Sequence, residues 1–333
     1  PLAYDTFTRA DGAISSSETT GPDSQTTPSL AWTGGAISTN KNVITPSLGS
    51  ELVTNGDMEL DSGWASWNTP TTNERSNTQA HGGTYSRHLI TDDVAGSEGI
   101  QSGTFTTTTG AWYGVFGWFY GNNVYMKVLN GAGSAYPVSV VTSNVPSTWT
   151  KRDAAFRESS GGSSAKYLVM SGSTSEYYVD DATLKPLTLS SLFSSVSTSD
   201  TDVIADANVT MTAGTQAGLV LNLDSTSSPA NFIIVYHDGT SVIVDEAVAG
   251  VYTNKQTTTV TYSAGATLRA IREGTKLRVY YNNALVGAEL TMTANTNTKH
   301  GLFSTYSGNT FDNFTLWDRS GYTDLPEANL TAT

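Results

Sequence analysis

The densest chemistry in the chain is aromatic. The segment Trp112–Tyr120 reads WYGVFGWFY, and in an extended strand its side chains alternate between two faces. Tyr113, Val115, Gly117 and Phe119 fall on one face; Trp112, Phe116, Trp118 and Tyr120 fall on the other. A packed core needs only one of them. The second set is a candidate platform for the flat C–H faces of pyranose rings, with Tyr125 and Lys127 from the following VYMKV segment, Trp67, and the amides of Asn122 and Asn123 as further candidate contacts. The alternative is a strand buried on both sides between two layers. Signatures of catalysis are missing from the sequence: it contains no Gly-x-Ser-x-Gly elbow, no His-Glu-x-x-His and no phosphate-binding loop. The four histidines, His81, His88, His237 and His300, are scattered and read as surface or turn imidazoles.

The elements that must carry these side chains are strands. Period-2 segments recur along the chain, among them 203–211, 218–223, 232–236, 241–245, 257–262, 267–272 and 276–281, separated by Asp-Gly, Glu-Gly, Asn-Asn and Ser-Gly punctuation. No stretch has sustained 3.6-residue periodicity. An all-β fold of antiparallel sandwiches is therefore expected, and 333 residues suffice for about two domains. Charged residues make up only 14%, and 17 Lys plus Arg against 30 Asp plus Glu leave a net charge of −13. That balance repels phosphate backbones and anionic membranes, so nucleic acid is excluded as an expected partner. Cysteine is absent, so neither disulfides nor thiolate metal sites contribute. No apolar run approaches the roughly 18 residues that span a bilayer, and PLAYDTFTRADG lacks a signal-peptide pattern, so a soluble chain, mature or trimmed, is expected.

Five of the seven tryptophans lie between residues 50 and 187: Trp64, Trp67, Trp112, Trp118 and Trp149. This block carries, in order, Asn55-Gly56-Asp57-Met58-Glu59, Gly63-Trp64, Ala80-His81-Gly82-Gly83-Thr84-Tyr85-Ser86, Trp149-Thr150-Lys151 and Tyr178-Val179-Asp180-Asp181-Ala182-Thr183-Leu184. It resembles carbohydrate-binding modules of the family 4, 9 and 22 type; Met58 departs from the family's usual Phe, a conservative core change. The resemblance implies a jelly roll with glycan as its partner and with Trp64 and Trp149 mostly in the core. It also implies a structural Ca²⁺ near the module's ends, held by Glu59 and Asp181 with backbone carbonyls from around Asp57 and Gly83.

The flanks, 1–49 and 188–333, read as one interrupted domain. Asp5–Ile14 with Trp32, Gly35, Ile37 and Asn40, then QAGLVLNL, NFIIVYHDG, LRAIREGTKLRVYYNNALV and HGLFSTYSGNTFDNFTLWD, are similar to concanavalin A-like (laminin G-like) domains of phage tail and secreted proteins. Residues 1–49 hold too few apolar positions to fold alone, so the jelly roll is expected to be nested, with hinge strands near Thr45-Pro46-Ser47 and Lys185-Pro186-Leu187 and the segment 310–317 beside the opening strand. Asp5, Asp312 and Asn313 are a candidate second metal or glycan site there. Laminarinase-type relatives of that fold carry Glu-x-Asp-x-x-Glu on one strand; here Glu59-Leu60-Asp61 continues Ser-Gly-Trp. The expectation is a non-enzymatic glycan-binding or adhesion protein on a virion (tail fibre, tail tip or capsid decoration) or outside a cell, with other virion or surface-assembly subunits as further partners. A purely structural virion or filament subunit and a glycoside hydrolase with carboxylates from distant strands are the alternatives.

Overall fold

A computed structural model describes residues 1–142 and 145–319, except for the side chains of 141, 142 and 145–147. The final stretch of the interrupted domain read from sequence, 320–333, lies outside the described residues. The described chain is all-β: its strands pair antiparallel, and its helices are two short 3₁₀ turns, Pro22–Ser24 and Leu189–Leu192. No helix among the described residues is long and apolar enough to cross a membrane.

The chain divides into two compact units, Pro1–Ser47 with Thr188–Thr333, and Leu48–Leu187. In the first, a ten-stranded and a six-stranded sheet enclose one apolar cluster. Strand Val203–Thr210 feeds Val203, Ala205, Ala207 and Val209 into it, and Ala217–Leu223 feeds Ala217, Leu219 and Leu221, so alternation is what fills this core. The sheet closes by a long-range pairing: Ala3–Asp5 runs antiparallel to Phe314–Leu316. Asp5 is fully buried there, and its carboxylate accepts hydrogen bonds from Phe7 N–H at 2.8 Å, Trp32 Nε1 at 2.9 Å and Arg9 at 2.9 and 2.8 Å. Asp312 pairs with Lys41 at 2.8 Å. The structure thus gives Asp5 and Asp312 partners from the protein itself, and no group of acids and histidines suited to a metal gathers around them among the described residues.

Two of the four histidines differ from the surface reading. His237 and His300 are buried in this unit because each lies on a strand enclosed on both faces. The His300 Nδ1 accepts from Asn222 N–H at 3.3 Å and its Nε2 faces the Asp200 carbonyl at 3.1 Å, an arrangement that suits the neutral ring.

The second unit is also a two-sheet sandwich. One sheet has the order Val145–Arg157, Trp112–Gly121, Ser175–Leu187, Ser86–Thr91, Thr72–Ser76. The other runs Val138–Thr142, Val124–Leu129, Gly162–Ser171, Glu98–Ser102, Trp64–Trp67, with Phe105–Thr107 added to Gly162–Ser171. Between them lie Tyr113, Val115 and Phe119 from one sheet and Val124, Met126, Val128, Tyr167 and Val169 from the other. The entering and leaving segments zip together: Gly49 N–H donates to Pro186 O at 2.8 Å, Leu52 N–H to Leu184 O at 3.0 Å and Ala182 N–H to Gly56 O at 2.8 Å.

Burial without a carboxylate partner lowers the His300 pKa from 6.5 to about 4. The unfolded chain therefore takes up this proton first on acidification, so the contribution to stability is intact above about pH 6.5 and is lost as pH falls toward 4, by on the order of 3 kcal/mol. Urea melts of the wild type and His300→Gln at pH 7.5 and pH 5 check this: the wild type should lose more stability over that interval than the variant. Equal losses would place the titration elsewhere.

Candidate functional site

The outward face of the five-stranded sheet carries the aromatic set that the core does not use. Along Trp112–Gly121, Phe116, Trp118 and Tyr120 are half-buried and stand outside the core cluster, while Tyr113, Val115 and Phe119 are inside it. Rings on neighbouring strands extend this set into a row. Trp149 lies 5.8 Å from Tyr120, Tyr120 lies 5.9 Å from Tyr178, and Tyr178 is stacked on His88 at 4.5 Å. Four adjacent strands contribute one ring each, which at the spacing of strands gives a row about 14 Å long. Tyr178 is held neutral, its pKa raised by burial and by Glu176.

Four departures from the sequence reading stand out. Trp149 is not a core residue: it is half-buried and packs tilted against Tyr120 and edge-on against His81 from the outer face. Tyr125, Lys127 and Trp67 do not join Trp118. They project from this unit's second, six-stranded sheet, because Val124, Met126 and Val128 alternate with the first two into the core, as Trp64 does on the strand that bears Trp67. Asn122 and Asn123 form the turn between the two sheets, away from the row. Trp112, at the strand's start, is buried. Trp64 is in the core as expected, with its Nε1 donating to Asn55 O at 2.9 Å.

Next to the row, the strand Ser175–Leu187 is irregular. The register of its pairing with Trp112–Gly121 shifts between Phe116 and Trp118, and Asp181 adopts a left-handed φ of 48°. The bulge directs Asp180 and Asp181 toward the loop 81–85. Asp180 Oδ2 accepts from His81 N–H at 2.9 Å and Gly82 N–H at 3.1 Å, and Oδ1 from Asp181 N–H at 2.8 Å. Burial outweighs these donors and pushes the Asp180 carboxyl up to about 6. His81 bonds through Nδ1 to Asp181 Oδ2 at 2.7 Å and stacks on Trp118 at 3.7 Å and 16°. One face of Trp118 is therefore already covered by imidazole. Phe116 is capped by Lys151, whose Nζ stands 4.6 Å from the ring centre.

Glu59 reaches the same loop from the other side. Its Oε1 accepts from Thr84 N–H at 2.6 Å and Tyr85 N–H at 2.9 Å, and these bonds lower its pKa. A Cβ at Gly83 would stand 2.1 Å from Glu59 Oε1, and one at Gly82 would stand 2.9 Å from Asp181 Oδ2. The Gly82–Gly83 pair thus lets the loop close onto both carboxylates, an all-oxygen donor set of the kind that suits a hard cation. Asp57 is exposed beside this loop's acidic partner, and no cluster of three acidic or histidine side chains forms among the described residues. A cation here would need backbone carbonyls to complete its shell. His81, Asp180, Trp149, Tyr178 and His88 were not singled out as binding residues by sequence; only the Tyr-Tyr-Val-Asp-Asp run hinted at Asp180 and Tyr178.

No family model matches the chain, and no curated protein does. Among solved structures it is similar to the carbohydrate-binding module CBM66 from Bacillus subtilis at 16% identity, covering 37% of this chain and 80% of that one, TM-score 0.32. It is similar to the CBM22-1 xylan-binding domain from Paenibacillus barcinonensis Xyn10C at 13% identity, covering 44% and 97%, TM-score 0.33. It is also similar to the CBM22-1-CBM22-2 tandem domain of the same protein at 9% identity, covering 83% and 98%, TM-score 0.34. With TM-scores of this size, the reading of function rests on the residues described above.

The positions of the tryptophans give a direct contrast. Trp64→Ala should cost roughly 3–5 kcal/mol of unfolding free energy, the range for truncating a buried aromatic, whereas Trp149→Ala on the outer face should cost clearly less. Urea denaturation followed by circular dichroism measures both. A Trp149 loss equal to that of Trp64 would return Trp149 to the core.

Proposed function

We propose that the Leu48–Leu187 unit is a non-catalytic glycan-binding module whose contact surface is the aromatic row Trp149, Tyr120, Tyr178 and His88, with Trp118 and Phe116 as its support. The observation that carries this reading is that four adjacent strands each place a ring outside the core and in line. The half-buried rings of Trp149, Tyr120 and His88, held in place by the buried Tyr178 between them, offer apolar surface to sugar C–H groups at little entropic cost. The acids around the row favour a neutral glycan over an acidic one. They also support a non-catalytic role, since each is engaged: Glu74 and Glu176 bond His88 at 3.1 and 3.0 Å, Asp181 bonds His81, and Asp180 bonds backbone N–H groups.

The similarity of the opening segment Asp5–Ile14 to phage-tail and secreted concanavalin-like domains supports a setting on a virion or an extracellular surface. The Glu59–Asp181 pair on either side of Gly82–Gly83 supports a structural Ca²⁺ joining the two carboxylates, with carbonyls from around Asp57 and Gly83 in its shell. Its role would be to fix the loop that carries His81.

Glycan-array screening of the full chain, followed by calorimetry on the best neutral hit, tests the site. Tyr120→Ala and Trp149→Ala should each abolish most of the affinity while the thermal melt stays cooperative. Retained affinity in both variants would overturn the row as the contact surface. For calcium, melting in millimolar Ca²⁺ should exceed melting in EDTA by on the order of 2–4 kcal/mol if the ion stands about 100–1,000-fold above its Kd. A wild type and an Asp181→Ala variant equally indifferent to EDTA would dismiss the ion.

A further inference from the structure

The residues that the structure separates from the row make a surface of their own. On the six-stranded sheet, cross-strand register sets Trp67 opposite Gly99, Gly99 opposite Met170, and Met170 opposite Tyr125. One step along, Gln101 lies opposite Leu168, and Leu168 opposite Lys127. All of these positions alternate with core residues such as Ile100, Val169 and Met126, so they share the outward face. Leu168 and Met170 are nonetheless buried, at 0% and 2%, while Trp67, Tyr125, Lys127 and Gln101 around them are half-buried. The surface of this face is thus made by Trp67, Tyr125, Lys127 and Gln101, which cover an apolar layer beneath them. Gly99 keeps the middle of it low: a Cβ there would fall 2.0 Å from the Val169 carbonyl oxygen.

The charged side chains on the outward positions of these strands are two lysines, Lys127 and Lys166. In a chain of net charge −13, the outward positions named here include no Asp or Glu. Lys127 Nζ stands 5.3 Å from the ring centres of both Tyr125 and Tyr136, and Lys166 Nζ donates to Gln101 Oε1 at 2.6 Å. Neither lysine has a carboxylate partner among the described residues. An ammonium set between two aromatic rings is matched by a ligand with a flat apolar face and an anionic substituent on its edge. A hexuronic acid residue has both.

We propose that this face is a second binding site, for an acidic, uronate-bearing glycan. Tyr125 and Trp67 stack on the sugar rings, Lys127 meets the carboxylate, and Gln101 meets a hydroxyl. The site lies on the sheet opposite the aromatic row and stands independently of the neutral-glycan reading of that row. The two faces would make the unit bivalent, able to hold two chemically different polysaccharide strands at once.

Calorimetry of the full chain with a galacturonic acid oligosaccharide and, separately, with a neutral cello-oligosaccharide of equal length tests it. The uronate oligomer should bind, weaken as salt is raised from ~0.1 to ~1 M, and lose about tenfold in affinity in Lys127→Gln. Trp67→Ala should weaken it as well, while Tyr120→Ala leaves it unchanged. No binding of the uronate oligomer to the wild type, or binding that survives Lys127→Gln and Trp67→Ala intact, would overturn the site. Uronate binding lost in Tyr120→Ala but not in Lys127→Gln would overturn it too, by assigning the ligand to the other face. Failure of the cello-oligosaccharide alone bears only on the aromatic row.

Discussion

The buried carboxylate of Asp180 is the constraint on which the arrangement of the outer face depends. It is enclosed, yet three backbone N–H groups, from His81, Gly82 and Asp181, converge on it. A buried carboxylate left without donors would cost several kcal/mol, so the loop 81–82 cannot move away without either exposing Asp180 to water or protonating it. Holding the loop there sets His81 against Trp118 and brings Gly83 against Glu59. One residue thus ties together the bulged strand, the loop and the aromatic surface. It does so because the bulge at Asp180–Asp181 turns successive side chains to the same region, where regular alternation would have sent one of them into the core.

Alternation accounts for most of what else the sandwich does. Each sheet of the Leu48–Leu187 unit sends every second residue into a shared core and leaves the remainder outside, so a sequence rich in aromatics on both phases of a strand must display one phase. The outward residues of the two sheets differ in kind. Around the row stand Glu74, Glu176 and Asp181, with Lys151 over Phe116; across the core stand Lys127 and Lys166.

The fold class was legible in the sequence because period-2 segments such as Val203–Thr210 and Ala217–Leu223 keep their alternation through turns marked by Gly and Asn. So was the split of Trp112–Tyr120 into an inner and an outer face, since that needs only the geometry of one strand. What could not be read was which sheet the next strand joins. Asn122-Asn123 looks like the turn of a hairpin, which would have kept Tyr125 and Lys127 beside Trp118. Instead the turn passes from one sheet to the other, and the two strands pair with different neighbours. The bulge at Asp181 and the register shift between Phe119 and Gly121, on the strand that pairs with the one bearing Trp149, were equally hidden. A bulge changes the phase of a strand by one residue, and only the partner strand reveals that it has done so.

The other unit directs its aromatic and charged side chains differently. Its aromatic residues near the chain's opening are turned inward: Trp32 packs edge-on against Phe314 at 5.1 Å and beside Phe7 at 5.7 Å, with its indole N–H on the buried Asp5. Its buried charges are likewise directed to the frame. Asp206 bonds Arg269 at 2.6 and 2.8 Å across neighbouring strands, and burial still raises the Asp206 pKa. Arg272, the largest fully buried side chain, donates to the Thr293 carbonyl at 2.9 Å, and Glu246 on the facing sheet accepts from Thr293 N–H at 2.6 Å, so one residue is gripped from both layers. Removing either partner of the Asp206–Arg269 pair would leave an uncompensated charge in the interior, a larger cost than any surface bond could recover. The inner unit, which leaves Trp149, Tyr120, Trp118, Trp67 and Tyr125 outside its core, is built the other way round.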